Sequence, residues 1–90
     1  MSAPAAPATV AALERLAAAL GPGFITTLVT GARQRPCLTV ARRGAQAAAD
    51  VYADAGRFWW GWAEPIGPTA DPLAAAHQVS AALPAPRAPQ

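Results

Sequence analysis

The chain has no lysine and no asparagine, only one cysteine and one histidine, and few charges of either sign. The single cysteine, Cys37, excludes an intramolecular disulfide and the cysteine-rich kind of metal site. No stretch approaches the roughly 20 uninterrupted apolar residues of a transmembrane helix. The first residues also lack the positive region of a signal peptide. We therefore expect a cytoplasmic protein that does not enter a membrane.

The residues that are abundant point to genome composition as much as to chemistry. All seven cations are arginine, alanine occupies more than a quarter of the 90 positions, and there are ten prolines. This pattern is typical of high-GC bacterial coding, so the arginines are weak evidence for a nucleic-acid partner. The net charge of only +2 points the same way.

The length allows one domain. Both ends are rich in proline and alanine, which disfavour regular structure because proline lacks a donor and breaks helices. The sequence predicts disordered tails over 1–8 and 84–90 and a single small domain over 9–83.

Hydrophobic spacing and turn residues predict two helices and four strands within this domain. Thr9 is placed as the cap of a first helix that stops at Gly21, and Asp71 followed by Pro72 begins a second helix that stops at Pro84. The predicted strands are 24–30, 37–41, 49–54 and 57–63. A basic loop is predicted over 31–36, and the prolines at 65 and 68 are predicted to interrupt regular structure over 65–68. The order is α-β-β-β-β-α, an α+β fold in which an antiparallel four-stranded meander carries both helices on one face.

The loop Ala55-Gly56 decides which tryptophan is buried. A two-residue hairpin turn places Tyr52 opposite Trp59 and Val51 opposite Trp60. Directly paired residues share a face, so Trp60 and Trp62 join the core while Tyr52 and Trp59 lie on the other face, and Asp54 pairs with Arg57. A three-residue loop with a bulge would swap the faces of the last strand.

The predicted core combines the apolar positions of the helices with those of one sheet face. It comprises Leu13, Leu16, Leu20, Leu38, Val40, Val51, Phe58, Trp60, Ile66, Leu73, Val79 and Leu83. The opposite face of the sheet has no predicted cover.

The sequence predicts no enzyme, no cofactor and no metal site. His77 has no carboxylate or second histidine at helical spacing, and Cys37 follows a loop rather than opening a helix. The sequence holds no paired carboxylates, His-x-Glu motif or phosphate-binding glycine loop.

The predicted function is a non-enzymatic interaction or regulatory accessory module, with a homodimer or another cytoplasmic protein as partner. Its surface is Tyr52, Trp59, Arg57 and Arg43, or else an edge strand, because exposed tryptophan and tyrosine are enriched at interfaces. The alternative is a nucleic-acid-binding accessory protein in which arginines contact phosphates and aromatic rings stack on bases. Its contacts would be Arg33, Arg35, Arg42, Arg43, Arg57 and Trp59.

Two short segments between the leading and the closing helix match a known pattern. They are Pro36-Cys37-Leu38-Thr39-Val40 and Trp60-Gly61-Trp62. The chain resembles short uncharacterised actinobacterial proteins with a Pro-x-Leu-x-Val strand and a Trp-x-Trp strand, over about 10–83. The resemblance implies genes near helix-turn-helix regulators, hence a regulatory accessory role, and it implies no catalytic residues. The order of elements is also similar to that of small chaperone-like α+β folds that dimerise, which carries no function by itself.

Overall fold

A computed structural model describes residues 7–31, 34–45 and 47–83 and shows one antiparallel sheet with two helices. The strands follow the chain order β1-β2-β3-β4-β5, each hydrogen-bonded to the next. The elements are α1 Pro7–Leu20, β1 Phe24–Gly31, β2 Gln34–Arg42, β3 Ala48–Asp54, β4 Arg57–Trp60, β5 Pro65–Pro68 and α2 Pro72–Ala82. The α+β class and the meander are confirmed, but the expected number of strands is wrong, since the sheet has five strands in the described part of the chain.

The fifth strand is the segment expected to interrupt the chain. Pro65 lies opposite Trp59 and Pro68 opposite Arg57. Proline cannot donate to a neighbouring strand, so it is found at sheet edges, where one side of the strand has no neighbour. The prolines of this segment mark an edge strand rather than a loop.

The helix boundaries follow the predicted capping chemistry at α2 and depart from it at α1. The Asp71 side chain accepts a hydrogen bond from the backbone N–H of Ala74 at 3.1 Å, with Pro72 next in the chain, as predicted. Helix α1 begins at Pro7, so Thr9 lies inside it and does not cap it. Proline suits a first turn, where no N–H is needed. The remaining parts of the predicted tails, 1–6 and 84–90, lie outside the described residues.

The β3–β4 hairpin has the predicted register. Val51 is opposite Trp60, Tyr52 opposite Trp59 and Ala53 opposite Phe58. The two loop residues have positive φ angles, 52° at Ala55 and 77° at Gly56, as the favoured two-residue turn requires. The turn therefore assigns the two adjacent tryptophans to opposite faces.

Strands β1 and β2 are longer than expected. Strand β1 runs to Gly31 and β2 starts at Gln34, so most of the predicted basic loop over 31–36 belongs to strands. Arg35 and Pro36 are consequently held within the sheet.

The core lies between the helices and one face of the sheet, which we call the inner face. It consists of Ala12, Leu13, Leu16, Leu38, Val40, Val51, Ala53, Phe58, Trp60, Ala75, Ala76, Val79 and Leu83. Leu20 and Ile66 pack against it while partly buried. Leu73 was expected in the core, but it is 68% exposed because the small side chains of Ala75 and Ala76 face the sheet instead. These alanines let α2 approach closely.

Among the described residues, no helix is both long enough and apolar enough to cross a membrane.

Candidate binding site on the outer sheet face

The second face of the sheet, the outer face, carries a mixed set of aromatic, charged and small side chains. Strand alternation and the observed registers place on it Ile25, Thr27, Val29, Arg35, Cys37, Thr39, Ala41, Ala48, Asp50, Tyr52, Asp54, Arg57 and Trp59. Both described helices pack on the inner face. Within the described part of the chain, the outer face therefore has no covering layer.

Tyr52 and Trp59 form the centre of this face. They are directly opposite each other on β3 and β4, and both are half-buried. The indole Nε1–H of Trp59 donates to the backbone carbonyl of Asp54 at 3.0 Å. This bond fixes the indole ring and uses its only polar group, so Trp59 offers its apolar surface to anything that binds.

Arg35 covers one side of the aromatic pair. Its guanidinium lies 5.2 Å from the centre of the Tyr52 ring, and its Nη2 is 3.7 Å from a carboxylate oxygen of Asp54. Both charged side chains are mostly exposed, so water and salt weaken the ion pair. Arg35 is thus placed over the ring by weak contacts that a ligand can displace.

The predicted ion pair between Asp54 and Arg57 is replaced by the pair between Asp54 and Arg35. Asp54 and Arg57 are opposite each other in the backbone register, as expected. Arg35 reaches Asp54 because β2 begins at Gln34, whereas the sequence predicts that this strand begins at residue 37.

These side chains surround an open depression with a volume of ≈ 610 Å³. It is lined by Arg35, Cys37, Tyr52, Asp54, Trp59, Trp60, Gly61 and Ala63. A volume in this range is common for ligand sites. The depression is open toward solvent, which suits an extended segment or a protruding side chain of a partner.

The phenol of Tyr52 has a raised pKa. The largest cause is the negative charge that neighbouring Cys37 carries once its thiol ionises, followed by burial and by the carboxylate of Asp50, while Arg35 lowers the value. Asp50 itself accepts a hydrogen bond from Thr39 Oγ1 at 2.9 Å. Tyr52 is therefore neutral and remains a hydrogen-bond donor at physiological pH.

Trp62 does not occupy the core position expected for it. Strand β4 ends at Trp60, and a three-residue turn follows in which Ala63 has a φ of 69°. Trp62 is 61% exposed and stacks on Trp60 with ring centres 4.9 Å apart. The turn reverses the chain before the alternation of β4 can bring Trp62 into the core.

Two of the predicted interface arginines bind the protein's own backbone. Arg42 is partly buried on the inner side, donates to the carbonyl of Ser80 at 2.6 Å and lies 4.9 Å from the centre of the Phe24 ring. Arg43 donates to the carbonyl of Pro22 at 3.0 Å. Arg57 is exposed on the outer face, and Arg33 lies outside the described residues. The arginines therefore do not form one basic surface in the described part of the chain.

His77 and Cys37 are far apart in the fold. His77 is exposed on α2 beside a smaller depression of ≈ 260 Å³ that also touches Leu20, Phe24 and Leu73. Cys37 lies on the opposite side of the sheet at the aromatic depression. No group of three or more metal-ligating side chains occurs among the described residues.

Comparisons with models of protein families, with curated proteins and with solved structures give no match to this chain. The site therefore rests on its own geometry. Tyr52 and Trp59 belong to the predicted interaction surface and Arg35 to the alternative nucleic-acid contacts, but no sequence pattern connects Cys37 with them. The pairing of β2 with β3, in which Leu38 is opposite Val51 and Cys37 comes next to Tyr52, was the missing information.

Proposed function

We propose that this protein is a non-enzymatic binding module whose outer sheet face holds a segment of a partner protein. The observation that carries the proposal is the Tyr52–Trp59 pair, in which a fixed indole lies directly across from a tyrosine on the neighbouring strand and both line an open depression. Aromatic side chains that are already ordered lose little entropy on binding and dominate many interfaces. The regulatory accessory role that the resemblance implies would use the same surface.

The balance of charge favours a protein partner over a nucleic acid. Arg35 is near Asp54, and Asp50 lies on the same face. Arg42 and Arg43 donate hydrogen bonds to backbone carbonyls. Fewer arginines are therefore available for phosphate groups than the sequence predicted. A single-strand binder combines aromatic rings with a positively charged groove, and these carboxylates oppose such a groove.

A capture experiment with matched tryptophan variants tests the proposal. The immobilised full chain is exposed to extract of its native cells, and the retained proteins are compared with those bound by Trp59→Ala and Trp62→Ala chains. Trp62 is the control, since it is also exposed but does not line the depression. We expect a retained protein that is lost with Trp59→Ala and kept with Trp62→Ala.

Equal capture by all three chains, or no specific capture, contradicts the proposal. Titration with single-stranded and duplex nucleic acids across a range of salt concentrations tests the alternative, a nucleic-acid partner. Tight binding that weakens steeply with salt and requires Trp59 would replace the protein partner by a nucleic acid.

A further inference from the structure

Strand β1 is an edge of the sheet without the usual features that prevent pairing. Its eight residues are Phe-Ile-Thr-Thr-Leu-Val-Thr-Gly, with no charge and no proline. Among the described residues, it has a neighbouring strand, β2, on one side only. Natural edge strands are commonly short, charged, bulged or interrupted by proline because an open edge can pair with another strand. Only the end of β1 is irregular, between Val29 and Gly31.

The backbone groups that point away from β2 can be assigned. The N–H of Arg43 bonds to the carbonyl of Gly23, which makes these two a hydrogen-bonded pair next to the pair Phe24–Arg42. Hydrogen-bonded and non-hydrogen-bonded pairs alternate in an antiparallel ladder. The N–H and C=O groups of Phe24, Thr26 and Leu28 therefore point away from β2. The N–H of Phe24 bonds to the carbonyl of Gly21 at 3.4 Å, so Thr26 and Leu28 are the residues that offer both groups to a further strand.

We propose that β1 pairs antiparallel with β1 of a second copy of this chain, with Thr27 opposite Thr27 on a two-fold axis. In this register Thr26 of each copy is opposite Leu28 of the other, so the outward-pointing groups of these two residues meet on both sides of the axis. Each such pair exchanges two backbone hydrogen bonds. The product is a continuous sheet with five strands from each copy.

The chemistry of the strand fits a second copy. Self-pairing brings no like charges together, because β1 has none. On the outer face, Ile25 of each copy meets Val29 of the other, and Ile25 is 49% exposed in the single chain. Pairs of β-branched side chains directly across from each other stabilise a sheet. The threonines at the axis are small and leave the approach open.

The opposite edge of the sheet explains why the association stops at two copies. In β5, Pro65 and Pro68 have no N–H to give to a further strand. A two-fold contact also uses the same surface on both copies and closes the assembly. The inference does not depend on the proposed function, although it would place both outer faces on one side of a shared sheet.

Light scattering and sedimentation of the full chain across concentration form the first test. We expect a mass that rises from 9.1 kDa toward twice that value. The Thr27→Lys and Thr27→Glu variants each place like charges opposite one another and should raise the dissociation constant by about fivefold or more. An equal mixture of the two variants should restore dimers, because lysine then faces glutamate.

The control variant is Ala48→Lys, which adds the same charge at an exposed position of the outer face on β3. It should dimerise like the original chain. A second variant, Thr26→Pro, removes one outward N–H from each copy and none from the β1–β2 ladder, so it should weaken dimers while circular dichroism shows a folded chain.

A monomer at all concentrations overturns the proposal. So does a dimer that Thr27→Lys, Thr27→Glu and Thr26→Pro leave unchanged, since another surface would then make the contact. Dimers weakened by Trp59→Ala rather than by the β1 variants would place the contact on the outer face. Failure of the capture experiment leaves the dimer result intact, so the two proposals fail separately.

Discussion

Trp59 and Trp60 are neighbours in the chain, yet they lie on opposite faces of the sheet. On the inner face, Trp60 is buried among Phe58, Val51 and the helices. On the outer face, Trp59 is half-buried, bonded through its N–H and open to solvent on one side. The difference shows that residue type alone does not assign a role here. The position in the pleat decides whether a tryptophan stabilises the fold or remains available for binding.

The largest expected effect is on the inner face. Trp60→Ala should lower the free energy of unfolding by about 3–5 kcal/mol, because it leaves a cavity in a small core. Denaturant unfolding followed by circular dichroism measures it. A small loss for Trp60→Ala together with a large loss for Trp59→Ala would mean that the hairpin register is displaced by one residue.

The inner face also depends on Arg42, which joins β2 to the last turn of α2. Arg42→Ala should destabilise the protein by about 2 kcal/mol, since a charged hydrogen bond to the Ser80 carbonyl and the contact with Phe24 are lost. Thermal unfolding compares it with Arg43→Ala, whose bond to Pro22 is exposed and should contribute less. Equal losses in the two variants would contradict the structural role of Arg42.

On the outer face, Trp59→Ala should reduce stability by about 1 kcal/mol, the value of one neutral hydrogen bond and some lost contact. Binding to the captured partner should be lost in the same variant. Chemical unfolding and a binding titration on one sample separate these effects. A loss of stability as large as that of Trp60→Ala would mean that Trp59 is part of the core.

The smallest expected effect concerns Tyr52, the single tyrosine. Its raised pKa favours the neutral phenol in the folded state. The associated stability is present below the ordinary tyrosine pKa of about 10 and is lost as pH rises through the folded value. Ultraviolet titration of phenolate should show a higher midpoint in the folded than in the denatured chain. Cys37→Ser should move the folded midpoint down, and an unchanged midpoint would contradict Cys37 as the main cause.

The hairpin and the second helix could be predicted because their signals are local. Ala55-Gly56 sets the register of its two strands, and Asp71-Pro72 specifies a helix start through bonds within four residues. Leu73 and Trp62 were misplaced because burial depends on what packs against a residue. The alanines of α2 face the sheet, and the turn at Ala63 removes Trp62 from the strand.

The sequence by itself determined the α+β class, the meander order and the face on which Tyr52 and Trp59 lie, since alternation and turn chemistry act over a few residues. Only the tertiary structure decided that Pro65–Pro68 forms an edge strand, that Arg42 and Arg43 bind backbone carbonyls, and that Arg35 and Cys37 join the aromatic pair. Those outcomes depend on contacts between segments distant in the chain. Local preference does not encode such contacts, because they form only when the sheet and helices pack together.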